Sequence, residues 1–482
     1  MEGIGFGMFK AMSKNQNRER NMMSRKKFIG GVIAAGIAPS VVPNSVFGAN
    51  APSNRITVGA VGCGGIARGQ LPQIAKAGFQ VVSLCDVDSV NAKKVFDRFP
   101  DVPRYVDFRE MLRVEGDKID AVYCGTPDHT HTVVTLAALA KKKHVCCVKP
   151  LTRSVEECRV VLDAAHRAGT ATQVTASAWT EEASCRLREY FAEEAIGDVF
   201  EVHAWSIRPV WPQGMPFYPD FTDKVPDTLD WDLWIGPAAK RPFAARWPKG
   251  SPIPKLPKEN WIGDAVYHPF NFRGWFEFGA GALGDMGCHR ANTLYKVLDL
   301  RYPTRVEASS SMVSDVAFPV SSMITFDYPA RGSKPPVRLM WYDGGLLPPK
   351  PREMGDEPLP KEGVLYVGTK GKILFTFEKG IGCEPRILDP VLDAKFKKLP
   401  RTLKRREGGM FVEWLEACKG GEPGNCNFDW AQYITEFTHL GNLALRTGKP
   451  VKFDPVAMKI EGNDAANRLL KIPYHNGWAL DA

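Results

Sequence analysis

The chain has 482 residues, 44% hydrophobic and 24% charged, which is enough apolar material for full cores and too much length for one ordinary domain. Its net charge of +9 is uneven, because residues 1–50 hold seven basic and two acidic side chains. The remainder is weakly and diffusely basic, which excludes nucleic acid as the expected partner.

Residues 1–49 read as an address. A basic stretch (SRKKF) precedes the apolar run IGGVIAAGIAPSVV and the small residues around Gly48 and Ala49. The run contains Gly and Pro and is too short to span a bilayer comfortably, so no stable membrane insertion is expected. The segment resembles a twin-arginine export signal in which Lys26 follows Arg25 in place of the second arginine. The expected location is the periplasm, with Met22 or Met23 as alternative starts. The eleven cysteines are odd in number and several (Cys85, Cys124, Cys146, Cys147) lie in strand-like runs. They read as buried hydrophobes, and no CxxC pair with zinc spacing occurs.

Residues 50–178 alternate strand and helix signals. RITVGAVGCGGIARGQL runs from a β-branched strand through a glycine turn into a helix, with the spacing Gly62-x-Gly64-x-x-Ala67. A glycine makes the tight turn, a second lets backbone approach a pyrophosphate, and a small third residue lets helix pack on strand. Gly65 and Ile66 belong to the same phosphate loop, because free N–H groups at a helix start favour an anion. The next strand ends at Asp86, where a carboxylate accepts from ribose hydroxyls and repels a 2′-phosphate. The expected cofactor is therefore NAD. Helix near Val90–Phe99, strand DAVYCGT, helix HTVVTLAALAKKK, strand HVCCV, helix SVEECRVVLDAAHRAG and strand ATQVT complete the pattern. This is an α/β, doubly wound Rossmann domain with ligands beyond the strand C-ends.

Two strand ends carry more. CGTPDHTH follows the fourth strand and VKPL the fifth, and with the glycine loop they make the chain resemble the Gfo/Idh/MocA family of sugar and cyclitol oxidoreductases. The resemblance assigns Thr126, Pro127 and His129 to the cofactor loop and Lys149 to the lysine that reaches both cofactor and reacting carbon. Val148 stands where relatives carry glutamate. His129 and His131 form an HxH pair with no third ligand near in sequence, so no metal is expected.

Residues 179–482 form the expected substrate-binding and oligomerisation domain, α+β with C-terminal helices. The strand GDVFEVHAWS leads into a Pro- and Trp-rich passage to about residue 278. Its aromatics are too frequent to leave in water, and most read as packing between layers; Arg273 and Trp275 are singled out as substrate contacts. In GALGDMGCHRANTL, Asp285 and His289 stand four apart on a helical stretch, and so on one face. The resemblance makes them the acid and base of the substrate site, with Asn292 where many relatives carry aspartate. PTRVEASSSM, SSMITFDY, VRLMWYDGG and GVLYVGTKGKILF read as strands of an open, mostly antiparallel sheet, followed by amphipathic helices.

The expected function is NAD-dependent oxidation or reduction of a saccharide, glycoside or polyol, with catalytic Lys149, Asp285 and His289. Because an exported enzyme meets no pool of free NAD, a bound, recycled cofactor is the corollary. Recycling fits sugar-to-sugar hydride transfer, or glycoside cleavage by transient C3 oxidation, elimination and re-reduction. A non-catalytic sugar or nucleotide sensor is the alternative from another class. By analogy with relatives, the open sheet face suggests a homodimer or tetramer.

Overall fold

The computed structural model describes residues 55–176, 181–253, 263–311, 314–376, 385–405 and 408–480. The expected export signal over residues 1–49 lies outside them.

Arg55 begins a single packed unit that runs to the C-terminus. Its first layer is the parallel sheet of β1 (Thr57–Val61), β2 (Gln80–Cys85), β3 (Arg104–Tyr105), β4 (Ala121–Cys124), β5 (His144–Val148) and β6 (Thr172–Thr175), in the order β3-β2-β1-β4-β5-β6. Order reverses at β1, and the crevice between β1 and β4 is where such sheets bind ligands. The strands are almost wholly buried, as expected with helices on both faces: α1 (Ala67–Ala77), α2 (Ser89–Arg98), α3 (Phe108–Val114), α4 (His131–Ala140) and α5 (Val155–Ala168). Local signals set their ends. Asp88 caps α2, Ser154 and Glu157 form a reciprocal capping box on α5, and Gly78 and Gly169 close α1 and α5 in the left-handed region.

After α6 (Glu182–Ala192), β7 (Val199–Trp205) opens a second sheet. Among its described residues, the passage that follows holds the short α7 (Trp231–Ile235) and a 3-10 turn before a π segment, Leu283–Gly287, runs into α8 (Cys288–Leu298). Strands β8 (Arg305–Ser310), β9 (Ser322–Tyr328), β10 (Val337–Tyr342), β11 (Gly363–Gly368), β12 (Lys372–Thr376) and β13 (Arg386–Ile387) complete the second sheet, ordered β13-β12-β11-β7-β10-β9-β8. Among the described residues of this sheet, β7 and β10 run parallel and the other pairs are antiparallel. The run GVLYVGTKGKILF thus folds as two strands of a hairpin.

The C-terminal helices return to the first layer. After α9 (Pro390–Phe396), α10 (Gly409–Cys418) lays Trp414 on Phe79 with ring centroids 4.5 Å apart, closing one Rossmann face. Helix α11 (Phe428–Thr447) is buried along most of its length between α5, the π segment and the second sheet. Gly441 permits this, because a Cβ there would sit 2.5 Å from Leu283. A further hydrophobic layer gathers Trp231, Trp234, Phe243, Trp247, Tyr267, Trp275 and Phe278, so most aromatics of the long passage pack against one another.

Candidate active site

One cavity of ≈ 440 Å³ runs from the glycine turn after β1 to the start of α8. Four strand ends feed it: Gly62 after β1, Asp86 after β2, Thr126 after β4 and Lys149 after β5.

At the first end, Gly62 has φ +81°, and a Cβ there would lie 2.6 Å from the backbone of Gly125 and Thr126. Only glycine lets the two strand-end loops meet so closely. Gly64, Gly65 and Ile66 also line the cavity, whereas Ala67 is buried and lets α1 settle on the sheet. No side chain caps α1, and the buried Nε of Arg68, on the same wall, lacks a partner. Asp86 Oδ2 accepts from Cys63 N (2.7 Å) and Gly64 N (3.1 Å), and Oδ1 from Asp88 N (2.9 Å). The carboxylate therefore shapes the glycine turn, and burial raises its pKa from the ordinary value. These features fit a dinucleotide: the Gly65 and Ile66 amides of the turn and Arg68 for the phosphates, Asp86 for a ribose.

At the other end, the Lys149 ammonium donates to Asp285 Oδ1 at 2.5 Å, and Arg273 Nε donates to the same oxygen at 3.0 Å. Their side chains are 12–18% exposed, so water screens the cluster poorly. The two cations hold the Asp285 carboxyl far below the usual carboxylate range despite burial. Arg273 also stacks on Phe270 and Phe272, at 4.4 and 4.6 Å from the ring centroids. The carboxylate beside Lys149 thus comes from the π segment that precedes α8.

His289, the second residue of α8, lines the same wall. Burial, assisted by the Lys149 charge, pushes its pKa down to about 3, and its ring has no hydrogen-bond partner among the described residues. A neutral imidazole with free nitrogens faces the cavity. The wide π turn that carries Asp285 keeps the two side chains on one face. Asn292 is turned elsewhere, accepting from Trp430 and donating to Asn425.

Two expected contacts do not reach the cavity. Trp275 is fully buried, donates to Val266 O at 2.9 Å and stacks on Tyr218, so it belongs to the packing layer rather than the substrate wall. His129 lies between the carbonyls of Trp234 (2.8 Å) and Phe278 (3.2 Å), joining the two layers instead of touching cofactor. The HxH pair separates, since the His131 ring nitrogens lie 2.9 Å from Thr126 O and 2.7 Å from Pro150 O. One group of potential metal ligands does form among the described residues: Cys124, Cys147 and His131, within 4.8 Å of one another. With its imidazole nitrogens already engaged, His131 has a structural role, bracing the loops that carry Thr126 and Lys149.

Residues 56–176 match the model of an oxidoreductase family with an NAD-binding Rossmann fold, GFO_IDH_MocA. Over these residues, about a quarter of its length, the chain is similar to the NAD-binding domain of that family. Inositol 2-dehydrogenase of Klebsiella pneumoniae (strain 342) is 32% identical over 118 residues, covering 24% of this chain and 34% of the dehydrogenase. The match thus spans about a third of that relative's length. Solved structures share the fold over most of this chain at lower identity. The WlbA dehydrogenase of Bordetella pertussis, in complex with NADH and UDP-GlcNAcA, has a TM-score of 0.58 at 14% identity, covering 83% of this chain and 98% of its own. Levoglucosan dehydrogenase, in complex with NADH and levoglucosan, has a TM-score of 0.53 at 16% identity, covering 82% and 99%.

The cavity also uses residues that the sequence did not single out. Arg208, His268, Phe270 and Trp478 line it from the irregular passage and the C-terminal tail. None carries a motif spacing. The sequence read most aromatics of that passage as packing, so nothing in it pointed to these four.

Proposed function

We propose that this protein is an oxidoreductase that moves hydride between a carbinol carbon of a saccharide, glycoside or polyol and NAD held in the cavity. The observation that carries the reading is the meeting of Lys149, Asp285, Arg273 and His289 on one wall, at the opposite end of the cavity from the glycine turn. NAD, when bound, supplies the hydride acceptor or donor. His289 stays neutral at working pH and takes the hydroxyl proton as the carbonyl forms. The Lys149 ammonium, aimed by Asp285, donates to the same oxygen. Arg273 keeps Asp285 ionised, and the aromatic rings beneath it exclude water.

Replacing His289 with Ala tests the assignment. Turnover of the best substrate in a panel of glycosides and polyols, followed by nicotinamide absorbance, is expected to fall about 10²- to 10⁴-fold while NAD binding persists. Full turnover in H289A would refute it.

A second reading concerns cofactor retention. The segment Pro226–Asp230 crosses the residues after β2: Ser89 N donates to Thr228 O (3.0 Å), Asp230 N to Val87 O (2.8 Å), and His268 Nε2 pairs with Asp88 Oδ2 (2.8 Å). A strap beside Asp86 supports slow cofactor exchange, and with it an exported enzyme that recycles NAD in sugar-to-sugar transfer or glycoside cleavage. Mass spectrometry of the supernatant from denatured protein checks this; protein purified empty of NAD speaks against it.

A further inference from the structure

β7 delivers Arg208 to the cavity wall that carries His289, near enough for its charge to act on the imidazole. Its backbone is fixed, since the N–H donates to Ser206 Oγ (3.3 Å) and the carbonyl accepts from Gly344 N (2.6 Å). The half-buried guanidinium has no hydrogen bond or ion pair among the described residues.

The acids around it are engaged elsewhere. Glu362 accepts from Ser206 Oγ at 2.8 Å and pairs with Arg290 at 2.6 Å. Asp285 is divided between Lys149 and Arg273. Asp128, the remaining acid at this end, is buried. Three cationic side chains, Lys149, Arg208 and Arg273, therefore face two carboxylates, and Arg208 is the one of the three without an ion pair among the described residues. Cofactor phosphates do not account for the excess, because the Gly65 and Ile66 amides and Arg68 that suit them belong to the glycine-turn end. A guanidinium stripped of part of its water is best matched by a planar oxyanion that takes two of its N–H groups. Sugar hydroxyls offer only dipoles.

We propose that Arg208 determines substrate specificity, and that the substrate is an acidic saccharide whose carboxylate seats on its guanidinium. This rests on the hydride-transfer reading for the reaction, but the binding it describes is measurable without turnover.

The test is calorimetric binding of hexuronates (glucuronate, galacturonate, mannuronate), each beside its neutral hexose and hexose 6-sulfate, to NAD-loaded H289A with and without Arg208→Gln. At least one uronate is expected to bind about 30-fold or more tightly than its neutral partner, and R208Q to reduce that ratio to within about threefold. Equal binding of all uronates and neutral sugars, or an undiminished ratio in R208Q, overturns the proposal. Preference for the sulfate ester alone overturns the carboxylate assignment. Hydride transfer to neutral sugars without acid preference sinks this inference and leaves the proposed reaction standing; acid preference in a protein that never reduces NAD does the reverse.

Discussion

Replacing Asp285 with Asn should destabilise the protein through the cations it leaves behind. Lys149 and Arg273 both contact Oδ1, at 2.5 and 3.0 Å, with side chains 15% and 18% exposed. Removing one partner of a buried ion pair costs about 3–5 kcal/mol. Because the cavity admits some water, about 3 kcal/mol is expected. Unfolding of residues 55–482 carries an entropy on the order of 0.9 kcal/mol per kelvin, so the melting temperature should fall about 3 °C. Lys149→Met is milder, at about 1 kcal/mol, because Asp285 keeps Arg273. The double variant loses the repulsion as well, leaving Arg273 stacked on Phe270 and Phe272. Its cost should be about 2 kcal/mol rather than about 4, a coupling of about 2 kcal/mol. Calorimetry on the wild type and the three variants measures it. Additivity within about 0.5 kcal/mol would show that the three groups do not act as one cluster.

Gly62→Ala should abolish NAD binding in a fluorescence titration, because the residue combines φ +81° with backbone 2.6 Å from the new Cβ. Gly69→Ala, on α1 with open space around it, should instead stabilise by about 0.5–1 kcal/mol; equal behaviour of the two would discredit the close approach. Stability should also decline below about pH 6.5. Burial depresses His289 and His129 to about 3 and His439 to about 4, so the unfolded chain takes up protons first as pH falls. Each histidine contributes a slope of about 1.4 kcal/mol per pH unit down to its folded pKa, and His439→Gln should remove one such contribution. A melting temperature flat from pH 7 to 4.5 would contradict this. Trp275→Phe should cost about 1–3 kcal/mol through lost volume and the lost bond to Val266 O, with kcat per folded molecule within about threefold of wild type. A large selective loss of kcat would return Trp275 to the substrate wall.

The first layer was legible because its signals are local. The glycine spacing, the acid ending β2 and the alternation of apolar strands with helices each follow from backbone sterics and burial within about thirty residues. The same locality made Asp285 and His289 visible as one face of a helix. What those side chains do depended on partners far away in sequence. Asp285 lies 136 residues from Lys149 and meets it only in the folded chain. His129 and Trp275 show the converse: residue types suited to a ligand were drawn into packing once Trp234, Phe278 and Tyr218 closed over them. Arg208 has no motif, and its availability follows only because folding assigns Glu362 and Asp285 to other cations. By itself the sequence determined strand and helix identity, the nucleotide turn and the short list of chemical groups, since these depend on neighbours along the chain. Tertiary structure alone decided which charges are matched and which face the cavity unmatched, because electrostatic pairing and burial depend on distance in space.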